Sequence, residues 1–213
     1  MTGRVRQEWA RRVAAEYGSA GITAQVLTWS VQAGLPPELL YTATRIVRDE
    51  LDHARLSHQV LVALGGAEAP VALQADELAI GGTLPDVLVR NFCLGESFAV
   101  PTFERMRRRA THPAVRPVLD RILEDEAVHR AFGWDALDAL LELAPTLREH
   151  VGIALPGHLA TFAGYANPPS APALTDDERA CGLLDNAEYA ELYHSTWTLD
   201  IAPRFARRGM AIG

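Results

Sequence analysis

Two short stretches carry the residues best suited to chemistry. "RDELDHARLSHQV" (48–60) holds Asp49, Glu50 and His53, and "EDEAVHRAFGWDAL" (124–137) holds Asp125, Glu126 and His129. Glu-x-x-His sets a carboxylate and an imidazole on one helix face. Both groups bind divalent transition metals. With fifteen Glu and seven His in the chain, chance supplies about 0.5 such pairs. Requiring Asp before the Glu lowers this to ~0.03, and only these two stretches meet it. A third pair, Glu191 and His194, lacks the Asp and reads as a surface pair.

The elements that must position these residues are helices. Strand patterning is nearly absent. Helix 1 is expected over about 4–33, with Trp9, Val13, Ala20, Leu27 and Val31 as its apolar stripe. "GLPP" at 34–37 ends it and starts helix 2, which runs to about Leu64. A long Gly- and Ala-rich connection covers 65–83. Thr83 reads as an N-cap with Pro85 in the first turn. Helix 3 follows over about 84–110 and helix 4 over about 113–143. Pro101 is expected to bend helix 3, or to widen it near Glu96. A fifth helix interrupted by Pro156, a loop at "ANPPSAPALTDDE" and a last helix over about 177–207 complete the chain. This is one all-α domain over 1–213. Its four-helix core covers about 4–143 and a C-terminal helical extension about 144–213, with two hairpins joined by a long crossover.

Each of the four long helices carries a Glu in its apolar stripe: Glu16, Glu50, Glu96 and Glu126. Burying an unpaired carboxylate costs on the order of several kcal/mol, so something must neutralise the four. Reflection about the hairpin turns tests whether they meet. The midpoint of Glu126 and His129 reflects onto Glu96, whereas Glu104 falls about 12 Å off level. The midpoint of Glu50 and His53 reflects to within about 5 Å of Glu16, against about 17 Å for Glu8. Four carboxylates and two neutral imidazoles balance two divalent cations, and this mixed oxygen and nitrogen set suits iron or manganese.

One Glu from each of two helices, plus Glu-x-x-His from each of the other two, is the pattern of di-iron carboxylate bundles. In "AAEYG", "RDELDH", "CLGES" and "EDEAVH", in that order over residues 8–143, the chain resembles the ferritin-like di-iron carboxylate superfamily. The resemblance implies a ferritin-like four-helix bundle with a long crossover between helices 2 and 3. It implies Glu16 and Glu96 as terminal ligands, Glu50 and Glu126 as bridges, and His53 and His129 as one ligand for each metal. Asp49 and Asp125 would orient the imidazoles. The cofactor implied is two iron ions, with manganese or a mixed pair as alternatives, and O2 as co-substrate. Three activities follow from such a site: oxidation of a small organic substrate, ferroxidase or peroxidase chemistry, or a non-catalytic bundle braced by metal. The roughly 70 residues after the core resemble the additions of small hydroxylases and amine oxygenases of the superfamily, which favours the first.

Composition narrows the partners. The net charge of -7 disfavours nucleic acid. All 20 basic residues are Arg, a feature read as codon bias. Cys93 and Cys181 stand far apart and form no rubredoxin-type pair set, so an external electron donor is expected. Cys93, one turn before Glu96, reads as a packing thiol. "RMRRR" at 105–109 complements the dipole at a helix C-terminus. With no leader-like or membrane-spanning run, the expectation is a cytoplasmic protein. A homodimer is the base-rate expectation.

Overall fold

Leu84, Asn186 and Arg116 each begin a helix in a chain whose described residues contain no β-strand. The computed structural model describes residues 1–68 and 80–210. Helix α1 spans Gly3–Ala33 and α2 spans Pro37–Ala63. Between them Gly34 adopts a φ of 75°, where an L side chain would be strained, and its N–H closes α1 onto Ser30 and Val31 carbonyls. Most of the expected connection after α2, residues 69–79, lies outside the described residues. Helix α3 is continuous but composite: Leu84–Val87, a π-helical stretch Leu88–Glu96, then Ser97–Arg109. Thr83 caps it, and its N–H donates to Asp86 Oδ2 at 2.9 Å. Helix α4 spans Arg116–Leu143.

The extension holds α5 (Leu147–Ala160) and the single turns α6 (Ala163–Ala166) and α7 (Asp176–Ala180). Helix α8 follows, built of Asn186–Thr196, a π-helical turn Trp197–Ile201 and Ala202–Arg207. The expected last helix is therefore split. Gly182, at φ 84°, turns the chain, and capping boxes at Thr175/Glu178 and Asp185/Glu188 start a helix on either side. Pro156 does not interrupt α5. It lies on the exposed face, where solvent takes up the carbonyl that its missing N–H frees.

Along the bundle α1 packs on α2, α2 on α4, and α4 on α3. Two apolar clusters fill its ends. One gathers Trp9, Leu61, Met106 and Leu119, and the other Val26, Ile46, Phe92 and Phe132. In sequence, Glu16, Glu50, Glu96 and Glu126 each fall between the two clusters on their own helix, so the polar residues form a layer between two dry cores. A third cluster joins the outer faces of α3 and α4 to α5 and α8 through Cys93, Trp134, Leu155 and Phe205. The expected stripe of α1 needs correction at its end: Val31 is 58% exposed, and Val26 and Ser30 are buried instead.

The π-helical stretch widens α3 upstream of Pro101, not at it. Five of its residues are buried, serving both the second and the third cluster. Gly133 of α4 lies directly against it. A Cβ there would sit 2.5 Å from Phe92 Cβ, so only glycine permits this approach. Cys93 Sγ donates to the Gly133 carbonyl at 3.3 Å, and burial pushes the thiol pKa up, as suits a packing residue.

Candidate metal centre

All six sequence-selected ligands converge. One oxygen or nitrogen from each of Glu16, Glu50 and His53 lies within 4.8 Å of the others. The same holds for Glu50, Glu96 and His129, so Glu50 belongs to both sets. The two imidazole centroids are 5.6 Å apart. His129 Nδ1 lies 3.3 Å from Glu50 and 3.6 Å from Glu126; His53 Nδ1 lies 3.6 and 3.8 Å from the same two carboxylates. Glu50 and Glu126 thus sit between the imidazoles. Both histidines are fully buried, and Ser19 Oγ donates to Glu50 Oε1 at 2.9 Å.

The outer imidazole nitrogens face aspartates of the opposite helix. His53 Nε2 of α2 is 3.0 Å from Asp125 Oδ2 of α4, and His129 Nε2 of α4 is 3.7 Å from Asp49 of α2. The spacing alone does not show this crossing, nor does it show the arginines. Arg45 donates through Nε to Asp49 at 3.1 Å and through Nη2 to Asp125 at 3.2 Å, and Arg121 pairs with Asp125. A signal is present: "RIVRDELDH" (45–53) and "RILEDEAVH" (121–129) each carry Arg four residues before the Asp. That spacing makes a same-face ion pair.

Electrostatics show what the cluster needs. Burial, then the Glu50 charge, lifts Glu16 from 4.5 to about 8. Burial and Glu50 likewise lift Glu96 to about 7. Burial and the Glu96 and Glu50 charges raise Glu126 well above the usual range. Burial works against ionised Glu50 too, but the imidazoles of His129 and His53, 3.3 and 3.6 Å away, hold it near 2. Burial also opposes charged His53, yet Glu50 and Glu16 raise it to about 9. Without cations, protons do the neutralising.

A cavity of about 250 Å³ opens beside the cluster between α1 and α3. Glu16, Glu50, Glu96 and Glu126 line it, and the histidines do not. The extension contributes Phe162, Tyr165, Tyr189 and Tyr193 to its wall. Phe98 of α3 stacks on Tyr193 with centroids 4.8 Å apart. The site therefore has a closed His/Asp/Arg face and an open carboxylate face.

Glu191 and His194 are exposed, and Glu191 pairs with Arg105 at 3.2 Å, away from the cluster. The "RMRRR" run closes α3 and also clamps neighbouring elements: Arg105 and Arg109 reach Glu188 of α8, and Arg107 reaches Asp120 of α4. No helix among the described residues is long and apolar enough to cross a membrane. No protein-family model, no curated protein and no solved structure matches this chain.

Proposed function

We propose that the protein is a non-haem di-iron oxidoreductase on a ferritin-like four-helix core, using O2 to oxidise a small organic substrate. One observation carries this reading: Glu50 Oε2, Glu126 Oε2 and Nδ1 of both His53 and His129 are buried at the bundle centre without hydrogen-bond partners. Buried polar atoms are rarely left unpaired, and these four are all metal-ligating atoms. Glu16, Glu50 and His53 would hold one ion and Glu50, Glu96 and His129 the other, with Glu126 beside both.

Two iron ions bound there supply O2 activation and oxidising power. The chain's own residues do the rest. Asp125, held by Arg45 and Arg121, turns His53 so that Nδ1 points at the carboxylates. Ser19 fixes one Glu50 oxygen. Glu16 and Glu96 give up protons as cations arrive, so metal binding strengthens as pH rises through about 7 and 8. The aromatic wall suits an organic molecule better than a hydrated ferrous ion. Electrons come from a separate donor.

Anaerobic loading with ferrous iron, desalting and elemental analysis test the reading. The expected result is about two irons per wild-type chain, the number such carboxylate bundles hold, and almost none in Glu50→Ala of unchanged helicity. No iron in either protein sinks the proposal. Iron oxidation by O2 that no organic substrate alters would move it to a ferroxidase.

A further inference from the structure

Arg12 lies one turn before Glu16 on α1 and lines the cavity. It is only 9% exposed. Its Nε is buried with no partner, and Nη2 has two weak contacts, Glu8 at 3.5 Å and Met106 Sδ at 3.2 Å. The Nε donor of this guanidinium is thus unsatisfied within the protein, and a buried guanidinium normally has a paired anion. Its ion pair is with Glu8, not with Glu16. Glu8 is shared, since Arg11 holds the same oxygen at 2.8 Å. Two guanidinium groups thus share one Glu8 oxygen, and the contact of Arg12 with it is the longer of the two. The Phe103 ring, 4.6 Å from the guanidinium carbon, holds Arg12 in place.

Aromatic side chains form much of the remaining wall, beside Asn91 and Thr102. Phe98 lies between Tyr193 at 4.8 Å and Phe162 at 5.3 Å, and Tyr165 meets Tyr189 at 5.9 Å. The volume of about 250 Å³ lies just below the ~300–1,000 Å³ usual for small-molecule sites, so the occupant is small. We infer that the cavity takes a small carboxylic acid with an aromatic or comparably flat apolar body. Its carboxylate is anchored by Arg12, and its body lies along Phe98 toward Glu96 and Glu126. Arg12 is then a positioning and specificity residue. Four residue steps, roughly 6 Å of helix rise, separate the backbone of Arg12 from that of Glu16. As a substrate assignment this rests on the proposed oxidase reading; as a binding assignment it does not need metal.

Calorimetric titration of the full chain, metal-free and Mn(II)-loaded, with 3-phenylpropanoate, 3-phenylpropanamide and 3-phenylpropylamine tests it. These probes share one body and differ in charge. The acid should bind saturably and be preferred by about tenfold or more, as a charge-assisted hydrogen bond supplies. The preference should appear in both metal states, vanish in Arg12→Met and partly persist in Arg12→Lys. Phe98→Ala should weaken all three probes alike. Absence of saturable acid binding, equal binding of the three, or a preference that survives Arg12→Met overturns the inference. A preference seen only with Mn(II) also overturns it, placing the anion on the metal; because the metal-free comparison uses the unaltered chain, it decides even if Arg12→Met fails to fold. Metal content measured on the same samples separates the two claims: selective acid binding without metal uptake retains Arg12 and removes the oxidase reading, and uptake without selectivity does the reverse.

Discussion

His53 and His129 occupy matching places in "RIVRDELDH" and "RILEDEAVH", yet their outer nitrogens meet different surroundings. His53 Nε2 lies 3.0 Å from Asp125, whereas His129 Nε2 lies 3.7 Å from Asp49 and has no hydrogen-bond partner. The difference traces to the arginines. Asp125 is gripped from two helices, by Arg121 of its own and by Arg45 of α2. Asp49 has Arg45 and Arg48, both from α2 itself. Asp125 is thereby fixed across the α2–α4 interface where His53 can use it, while Asp49 is drawn along its own helix. Two motifs that match at five of nine positions thus build unequal halves, and the lesson is that the second partner of each aspartate, not its spacing, sets how firmly the imidazole is aimed.

The largest effect should come from the residue the halves share. Glu50 stands in both ligand sets, so Glu50→Ala should abolish binding at both positions. Glu16 stands in one, and Glu16→Ala should leave about one metal per chain, half of the pair expected for such bundles. Elemental analysis reads both, and equal loss in the two variants would break the picture of separable halves.

Next come the aspartates. Asp125→Ala should weaken metal binding about 10- to 100-fold, as loss of a partner that orients a ligand does. Asp49→Ala, whose contact with His129 is already long, should cost less than about tenfold by the same scale. Competition with a chelator measures both affinities, and a larger effect at Asp49 would reverse the comparison.

Proton linkage gives a third, smaller effect. Glu16 and Glu96 bind protons more tightly folded than unfolded, since about 8 and about 7 exceed 4.5. Their contribution is complete below pH 4.5 and is lost as pH rises through those values. His53 acts in the same direction, complete below 6.5 and lost through about 9. Glu50, held near 2, contributes above 4.5 and loses that only as pH falls through 2. The metal-free chain should therefore lose several degrees of Tm between about pH 6 and 9, and bound divalent metal should flatten the profile. Thermal melts across pH with and without Mn(II) decide it; a flat metal-free profile would mean the cluster carries few extra protons.

The smallest effect belongs to Arg45. Its side chain is 46% exposed, so water replaces much of what Arg45→Ala removes. A loss of metal affinity within about tenfold is expected, below that of Asp125→Ala, because Arg121 still holds Asp125. A loss as large as that of Asp125→Ala would make Arg45 the true organiser of the His53 half.

Much of the site is legible in the amino-acid sequence. The Glu in each long stripe, the two Asp-Glu-x-x-His motifs and the reflection about each turn bring six residues to one layer, because helical periodicity and hairpin register are local arithmetic. Thr83 as a cap, the packing role of Cys93 and the surface position of Glu191 and His194 follow from similarly local chemistry. The split in the last helix is also present, in "TDDE" and "DNAE", but two capping boxes inside one helical pattern are easily read as a single helix.

Tertiary structure alone decides the rest. The widening of α3 over Leu88–Glu96 depends on packing against Gly133 and on burial toward two clusters at once, neither visible in the period of α3 itself. The cavity depends on which aromatics of α6 and α8 fold back over α1 and α3, contacts more than sixty residues apart in the chain. The crossing of each Asp to the other helix's His, and the reach of Arg45 over both, depend on how α2 and α4 face each other. Helix periodicity determines which face a residue occupies; only the packing of the helices determines what that face meets.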